Sequence, residues 1–393
     1  MAGSIIVNGA RTPIGKLAGS LAGFSATDLG GLAIAGALAR AGITGEQVDY
    51  VYMGQVLLGG AGQAPARQAA VKGGVPMTTP SAIVDKVCLS GINAIYLADQ
   101  MIASGEADIV VAGGMESMTN APYLLLKARS GYRFGDDTIH DSMIHDGLFC
   151  AFEHCAMGEG TERYAASAGI ARAPQDQLAA ASHERAARAH KDGLFDDELL
   201  PVAIPQRRGD PIMFAADEGV RANTTAESLA SLPAAFTKAG NITAGNASQI
   251  SDGAAAVVVA SKAAVDRLGL APLAEIVGYG QVAGPDPSLL SQPSRAIIRA
   301  LERAGLSIRD IDLFEINEAF AAVAVASMHD LGITGDVCNV NGGAIALGHP
   351  IGMSGTRIAL TLALELRRRG GGLGAAALCG GGGQGDALLL RSI

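Results

Sequence analysis

Two stretches of the chain carry the same pattern of apolar and polar positions. Apolar residues at a spacing of three and four, typical of a helix, begin at Ser90-Gly91 and again at Ser354-Gly355, an offset of 264 residues (354 minus 90). Each predicted helix leads to a short apolar run and then to glycines, first over residues 109–114 and then over residues 375–383. This order predicts a strand after each helix.

A second pair of matching segments supports a duplication. Residues 41–50 read AGITGEQVDY and residues 304–313 read AGLSIRDIDL, which is an offset of 263 (304 minus 41). Two matches in nearly the same register predict two similar halves, each built from alternating strands and helices. We therefore predict an α/β fold.

The region between the two halves has a different character. Residues 120–249 contain tyrosines, phenylalanines, a charged helical pattern near residues 175–191 and several prolines. We interpret this region as an inserted loop domain that serves as a lid or binds a ligand, and the strand predicted over residues 254–260 resumes the first half. The predicted limits are 1–119 plus 250–271 for the first half, 120–249 for the loop domain and 272–393 for the second half.

Composition narrows the functional classes. The chain has 393 residues, of which 49% are hydrophobic and 17% charged, so it is a globular protein and not a disordered one. A net charge of −9 without a basic stripe argues against nucleic acid and anionic membranes as partners. Five scattered cysteines and the absence of a signal-peptide pattern predict a soluble cytoplasmic protein.

One histidine stands in a segment of small and apolar residues. His349 lies within NGGAIALGHPIGMSG, where Pro350 restricts the backbone and Gly348 and Gly352 permit turns and close approach. A single titratable group with such backbone control is typical of a general base. The alternative is a histidine of the core beside a glycine-rich turn.

Two cysteines occupy related positions in the two halves. Cys88 in VCLSGINA precedes a predicted helix, whose positive end favours a thiolate, as a nucleophile requires. Cys379 in LCGGGGQGD follows the corresponding strand, and the unobstructed N–H groups of its glycines suit an oxyanion hole. The alternatives are a small buried hydrophobic residue and a glycine-rich turn.

Several polar residues have an ordinary structural explanation beside a functional one. Asn317, followed by Glu318 in EINEAFAA, can hold a water or a carbonyl oxygen, or the two can be a helix N-cap with a first-turn glutamate. Ser248 in GNASQISDG and Arg221 in VRANTT can contact a ligand amide and a phosphate, or be a turn residue and a solvated charge. Cys150, His154 and Cys155 lie within six residues, but no second ligand pair is present, so we predict no metal site.

Taken together, VCLSGINA, GGMESM, GNAS with SDGAAA, NEAFA, NGGAIALGHPIGMSG and CGGGGQGD resemble the thiolase family in order and spacing, over essentially the whole chain. The likeness is greatest to its acetyl-CoA acetyltransferase (acetoacetyl-CoA thiolase) branch. The resemblance implies a thiolase fold with duplicated halves in a five-layered αβαβα arrangement, an inserted loop domain that binds coenzyme A, and a homotetramer made of two dimers.

The resemblance also implies roles for individual residues. Cys88 is similar to the acylated nucleophile, His349 to the base that activates it and Cys379 to the second acid/base. Asn317 and His349 hold an oxyanion-hole water, and the N–H groups of Cys88 and Gly381 form the second oxyanion hole. The residues implied to bind the substrate are Ser248 at the pantetheine, Arg221 near the adenine nucleotide, and Leu148, Met157 and Phe320 along the tunnel.

The implied reaction is a ping-pong condensation of two acetyl-CoA into acetoacetyl-CoA and CoA, with thiolysis as its reverse and no cofactor. Two alternatives stay within the family: a 3-ketoacyl-CoA thiolase for longer chains in β-oxidation, and a non-catalytic acyl-CoA-binding relative, which would have lost Cys88 or His349. A decarboxylating condensing enzyme would lack Cys379. Leu89, Ala156 and Met353 depart from the common family pattern, and we expect two of them to crowd the pocket.

Overall fold

The computed structural model describes residues 3–393, so residues 1 and 2 of the predicted first half lie outside the described part. The strands are β1 (Ile5–Arg11), β2 (Gly15–Lys16), β3 (Tyr50–Gly54), β4 (Ser81–Val84), β5 (Ile109–Ser117), β6 (Tyr123–Leu124), β7 (His140–Asp141), β8 (Phe149–Cys150), β9 (Cys155–Ala156), β10 (Val202–Ile204), β11 (Ile212–Phe214), β12 (Ser251–Ala260), β13 (Ala274–Ala283), β14 (Leu313–Ile316), β15 (Leu373–Gly380) and β16 (Gln384–Ser392). The α-helices are α1 (Ala26–Ala41), α2 (Pro65–Lys72), α3 (Ser90–Ala103), α4 (Met157–Ser167), α5 (Arg172–Lys191), α6 (Ala226–Ala230), α7 (Lys262–Leu268), α8 (Gln292–Ala304), α9 (Ala321–Leu331), α10 (Ala344–Leu347) and α11 (Ser354–Arg368). Short 3-10 helices cover Gly45–Gln47 and Ile308–Asp310, and a π-helical turn covers Met143–Leu148.

The strand order repeats across the centre of the sheet. The first half has the order β1-β12-β5-β3-β4 and the second the order β13-β16-β15-β14, and the two join where β1 pairs with β13. In both halves the outer strands are parallel, β3 to β5 and β14 to β15, and the inner pairs are antiparallel. The predicted duplication of an α/β half is therefore confirmed.

Three hydrophobic clusters define five layers. One cluster packs α1 and α2 on the first half of the sheet, and another packs α8 on the second half. The central cluster contains α3 and α11, which lie between the two halves and contact each other. A helix layer covers each outer face and a third is shared, which is the predicted αβαβα arrangement.

Equivalent turns end equivalent helices in the two halves. Gly42 ends α1 at φ +69° and Gly305 ends α8 at φ +68°, both in the left-handed region that glycine adopts without a Cβ penalty. A 3-10 helix follows at the same distance in each half. The match between residues 41–50 and 304–313 thus reflects one helix-stop geometry used twice.

The two central helices start at the same place, the interface between the halves. A Cβ on Gly91 would lie 2.8 Å from the carbonyl oxygen of Gly352, and a Cβ on Gly355 would lie 2.3 Å from the amide nitrogen of Ile92. Only glycine lets the backbones approach this closely. This contact brings the segment before α3 beside the segment before α11.

Residues 120–249 contain α4 to α6 and the small two-stranded sheets, and β12 then returns to the main sheet between β1 and β5. The limits of the three domains stay our prediction. Within residues 3–393, none of the helices is long and apolar enough to cross a membrane.

Candidate active site

Cys88 lies in a strained turn between β4 and α3. The preceding Val87 has φ +52°, a left-handed conformation that is unfavourable for a β-branched residue. Ser90 stabilises the turn, because its Oγ accepts the amide of Lys86 at 2.9 Å and donates to the carbonyl of Val87 at 2.6 Å. The turn leaves Cys88 partly buried beside the glycine loop that follows β15.

The Cys88 thiol is protonated in the resting site. Burial raises its pKa to about 12, although the N–H groups of Cys88 and Gly381 point at the sulfur and lower the pKa. The prediction that the start of α3 favours a thiolate is therefore wrong for this state, because desolvation outweighs the local dipoles. A neutral thiol needs a base before it can attack.

His349 is only 7% exposed, and its ring is held from one side. Its Nδ1 lies 2.5 Å from Oγ of Ser354, which donates its own proton to the carbonyl of Pro350 at 2.9 Å. Because a hydroxyl has one proton, Ser354 accepts from Nδ1–H, which leaves Nε2 unprotonated as an acceptor. Burial and the charge of Arg357 lower the pKa of His349 to about 3, so the ring is neutral at physiological pH.

Asn317 lies next to Nε2 of His349. Its Nδ2 is 3.5 Å from Nε2 of His349, and its buried Oδ1 has no hydrogen-bond partner within residues 3–393. The alternative of a helix N-cap is wrong, because the N-cap of α9 is Phe320. Asn317 therefore keeps an acceptor available beside His349 for a water or a ligand.

Cys379 lies at the end of β15 and is fully buried. Burial and the charge of Cys88 both raise its pKa, so the two sulfurs are close enough to interact and both are thiols at rest. The turn of Gly381, Gly382 and Gly383 follows and leads into β16. The chain thus brings Cys88, His349, Asn317, Cys379 and Gly381 to one place.

An apolar cavity of about 430 Å³ opens onto His349. Four residues predicted to contact the substrate line it: Leu148, Met157, Ser248 and Phe320. Arg221 does not line this cavity; it is exposed, and its Nη2 lies 3.4 Å from Nε2 of His183. Burial and the charge of Arg221 lower the pKa of His183 to about 4.

The residues lining the cavity are mainly apolar and come from the predicted loop domain, from the segments of the first half that flank it, and from the loops before α9 and α11. They are Met118, Ile144, Leu148, Ala156, Met157, Gly158, Ala235, Phe236, Thr243, Ala244, Ala247, Ser248, Gln249, Ile250, Phe320, His349 and Ile351.

Glu116 is a part of the site that sequence reasoning missed. It is fully buried at the end of β5, and its carboxylate accepts the amides of Val56 at 3.0 Å, Leu57 at 3.1 Å and Gly352 at 3.0 Å. Burial raises its pKa to about 7, and these amides oppose that rise. The signal was present, since Glu116 is the one charged residue in the strand IVVAGGMES.

Glu318, the neighbour of Asn317, has hydrogen-bond partners on both oxygens of its carboxylate. Its carboxylate accepts the hydroxyl of Ser182 at 2.6 Å, the amide of Asn339 at 2.9 Å and the backbone N–H of Ile345 at 3.1 Å. These contacts tie the Asn317 turn to the loop that leads to His349. Like Glu116, Glu318 holds backbone in place.

Two of the three departures from the family pattern point away from the cavity. Leu89 is buried in the central core, where Gly380 leaves room for it, and Met353 is buried in a cluster with Ile14. The expectation that two of them crowd the pocket is therefore wrong. Ala156 alone lines the cavity.

Comparison with known proteins agrees with this geometry. The family model "Thiolase, N-terminal domain" matches residues 4–263, and "Thiolase, C-terminal domain" matches residues 270–392. A protein of Mycolicibacterium smegmatis named probable acetyl-CoA acetyltransferase is 60% identical over 98% of this chain and 100% of its own length. The acetyl-CoA acetyltransferase of Cupriavidus necator is 50% identical over 98% of each chain. The crystal structure of the Bacillus anthracis acetyl-CoA acetyltransferase superposes with a TM-score of 0.97 at 39% identity, covering 100% of this chain and 99% of that one.

Proposed function

This chain belongs to the thiolase family, and we propose that it is an acetyl-CoA C-acetyltransferase. It condenses two acetyl-CoA into acetoacetyl-CoA and CoA and catalyses the reverse thiolysis. Two observations support the proposal together: a neutral His349 lines the same cavity as Ile351, against which the Cys88 thiol packs, and Cys88 interacts with a second buried thiol at Cys379. One base, one nucleophile and one further acid/base are the groups that a two-step acyl transfer requires.

The first half-reaction uses all three groups. Nε2 of His349 takes the proton of Cys88 as the sulfur attacks the thioester carbonyl. No free thiolate therefore has to form in the buried site. Cys379 gives its proton to the departing sulfur, so coenzyme A leaves as a thiol. The products are acetyl-Cys88, an imidazolium at His349 and a thiolate at Cys379, and their charges balance.

The second half-reaction begins at Cys379. An acetylated Cys88 carries no charge, and the imidazolium of His349 stabilises the thiolate of Cys379. The thiolate removes an α-proton from the second acetyl-CoA. Nε2–H of His349 then donates to the enolate oxygen, together with a water held by Oδ1 of Asn317.

The carbon–carbon bond forms at acetyl-Cys88. The enolate carbon attacks this carbonyl, and the resulting oxyanion is stabilised by the N–H groups of Cys88 and Gly381, because both point at the Cys88 sulfur. Collapse releases acetoacetyl-CoA, and Cys88 regains its proton from His349. Each group returns to its starting protonation state, so we propose that no cofactor takes part.

Substrate binding follows the apolar cavity. We propose that Leu148, Met157 and Phe320 contact the acyl-pantetheine chain and that Ser248 bonds one of its amides. Arg221 lies outside the cavity, where its exposed guanidinium is available to the nucleotide end of coenzyme A. Acetyl-CoA, acetoacetyl-CoA and CoA are the proposed ligands.

A longer 3-ketoacyl-CoA is the second candidate substrate. The small side chain of Ala156 on an almost entirely apolar cavity wall favours it, because apolar space accepts additional methylenes at little cost. Thiolysis rates for acetoacetyl-CoA and for a six-carbon or eight-carbon analogue distinguish the two candidate substrates. A higher kcat/KM for the longer chain would move the assignment to a β-oxidation thiolase.

We propose a homotetramer in the cytoplasm. Strand β4 is an open edge of the main sheet with Ala82, Ile83 and Val84 half-exposed, and such edges are normally covered. Phe134, Leu126 and Tyr123 expose further apolar surface. Light scattering of the purified protein measures the assembly directly, and a monomer would contradict the proposed tetramer.

The five free cysteines support a reducing compartment such as the cytoplasm.

Mass spectrometry tests the proposed activity. Mixing the protein with acetyl-CoA should add one acetyl group to the peptide that contains Cys88 and release free CoA, and Cys88→Ala should abolish both signals. An unmodified Cys88 after incubation with acetyl-CoA would contradict the proposed acetyltransferase activity. Release of acetoacetyl-CoA in the same mixture then tests condensation separately from acylation.

A further inference from the structure

Cys150 and Cys155, which the proposed reaction does not use, face each other across a short hairpin. They are direct partners in the antiparallel pair of β8 and β9, and both are buried, free thiols. Opposed residues in such a pair have Cα atoms about 4.5 or 5.5 Å apart, depending on the hydrogen-bonding class. Both separations fall inside the range of about 4.4 to 6.8 Å that a disulfide spans.

A cation lies directly at the sulfur of Cys155. Nη2 of Arg163 donates to Sγ of Cys155 at 3.3 Å, and Glu153 pairs with the same guanidinium at 2.9 Å. Burial raises the pKa of Cys155 and Arg163 opposes the rise, while the charges of Glu159 and Glu153 add to it. The guanidinium of Arg163 is therefore in place to stabilise a thiolate at Cys155 when one forms.

A metal does not explain the pair. Within the described part of the chain, no three His, Cys, Asp or Glu side chains come together as ligands. Because Cys150 and Cys155 have no third ligand beside them, we interpret them as a dithiol pair.

We propose that Cys150 and Cys155 form a reversible disulfide with a low-molecular-weight disulfide as the oxidant. One thiolate attacks the external disulfide, forms a mixed disulfide and releases one small thiolate. The second cysteine then displaces the other small thiolate. In total the two cysteines lose two protons and two electrons, and the oxidant is reduced to two thiols.

The hairpin lies between the solvent and the apolar cavity. It follows Leu148 and ends at Ala156, which both line the cavity, and only two residue pairs hold it together. Phe152 at its tip is 73% exposed and packs on the glycine turn, where a Cβ on Gly382 would lie 2.9 Å from its ring. The disulfide closes the turn of residues 151–154 and restrains Phe152 against that loop.

Differential alkylation tests the proposal on the unmodified protein. Both cysteines lie in one tryptic peptide, Phe134–Arg163, with no Lys or Arg between them. After incubation with glutathione disulfide and an acid quench, this peptide should lose two hydrogen atoms in mass, take up no alkylating reagent and recover both thiols with dithiothreitol. Cys150→Ser should instead leave a stable glutathione adduct on Cys155.

Controls separate this pair from the other thiols. Cys88 and Cys379 lie in other tryptic peptides, and Cys338 is a buried thiol without an opposed cysteine that must remain alkylatable after unfolding. Hydrogen exchange of the 149–156 amides should slow on oxidation, and an unchanged rate would overturn the restraint. Two free thiols, or two glutathione adducts on the folded wild type, would overturn the disulfide.

Discussion

Oγ of Ser354 lies 2.5 Å from Nδ1 of His349 and donates its own proton to the carbonyl of Pro350. This chain of two hydrogen bonds fixes the proton of the imidazole on Nδ1 and directs Nε2 at Asn317 and the cavity. Since α11 begins at Ser354, the orientation of the base depends on the first residue of the central helix. The local sequence HPIGMS therefore contains the base and the group that orients it.

Ser354→Ala should lower kcat for thiolysis roughly tenfold, because Nδ1 loses its acceptor and the ring is free to adopt the other tautomer. The KM for acetoacetyl-CoA should change little, since Ser354 does not line the cavity. Steady-state kinetics measure both constants. Ser327→Ala is the matched control, a buried serine whose hydroxyl bonds the carbonyl of Leu290. Equal losses in both variants would contradict the orienting role.

Acylation of Cys88 should keep its rate between pH 7 and pH 5. His349 has a pKa of about 3, so it stays in its base form throughout this range. A histidine with an ordinary pKa of about 6.5 would slow the step by about thirtyfold at pH 5. Rapid quench with acetyl-CoA, followed by mass spectrometry of the Cys88 peptide, measures the rate. A decline with a midpoint near 6.5 would show that His349 is solvated.

The same shift predicts how stability depends on pH. The folded pKa of His349 is below its unfolded value, so acid protonates the unfolded chain first. Its contribution to the free energy of unfolding is complete above about pH 6.5 and is lost as the pH falls towards 3. His349→Gln should flatten the urea-midpoint curve in this window. An identical curve for wild type and variant would contradict the buried, neutral imidazole.

Cys379→Ser should still take up an acetyl group on Cys88, more slowly than the wild type, but lose condensation by about a hundredfold or more, because a serine hydroxyl is a far weaker acid than a thiol. The stoichiometry of acetylation and the release of acetoacetyl-CoA measure the two steps on one sample. The cavity-facing Ser248 offers a contrast, since Ser248→Ala should raise KM and leave kcat nearly unchanged. Condensation at the wild-type rate in Cys379→Ser would assign the proton transfer elsewhere.

Glu116→Gln should lower kcat several-fold and leave KM nearly unchanged. An amide supplies one oxygen where the carboxylate supplied two, so at least one N–H of Val56, Leu57 or Gly352 loses its acceptor, at a cost of about 1–3 kcal/mol. Gly352 belongs to the His349 loop, which then shifts. Kinetics and urea unfolding measure the two effects.

Glu162→Gln is the control for that experiment. Glu162 is a buried carboxylate that accepts the backbone amides of Asn241 at 2.7 Å and Ile242 at 2.9 Å. Both variants should lose stability to a similar degree, and Glu116→Gln should lose more of kcat. If the losses of kcat are equal, Glu116 stabilises the fold without positioning His349.

Some features of the fold and of the site could be predicted from the sequence alone, and others could not. The duplication could be predicted because helix and strand periods are local, and both central helices start at the predicted serines, Ser90 and Ser354. That Cys88, His349, Asn317 and Cys379 form one site was implied by the resemblance to the thiolase family. Leu89 and Met353 could not be placed, since whether a side chain next to a catalytic residue faces the cavity or the core depends on contacts with distant strands.

The sequence by itself determined the two α/β halves, the turns that end their helices and the residues able to do chemistry, because these depend on neighbours within a few positions. The tertiary structure decided the protonation state of those residues. Burial keeps Cys88 a thiol and His349 neutral, and Glu116 joins the end of β5 to the His349 loop across 236 residues. Solvation and long-range hydrogen bonds exist only after the chain has packed, so no local pattern records them.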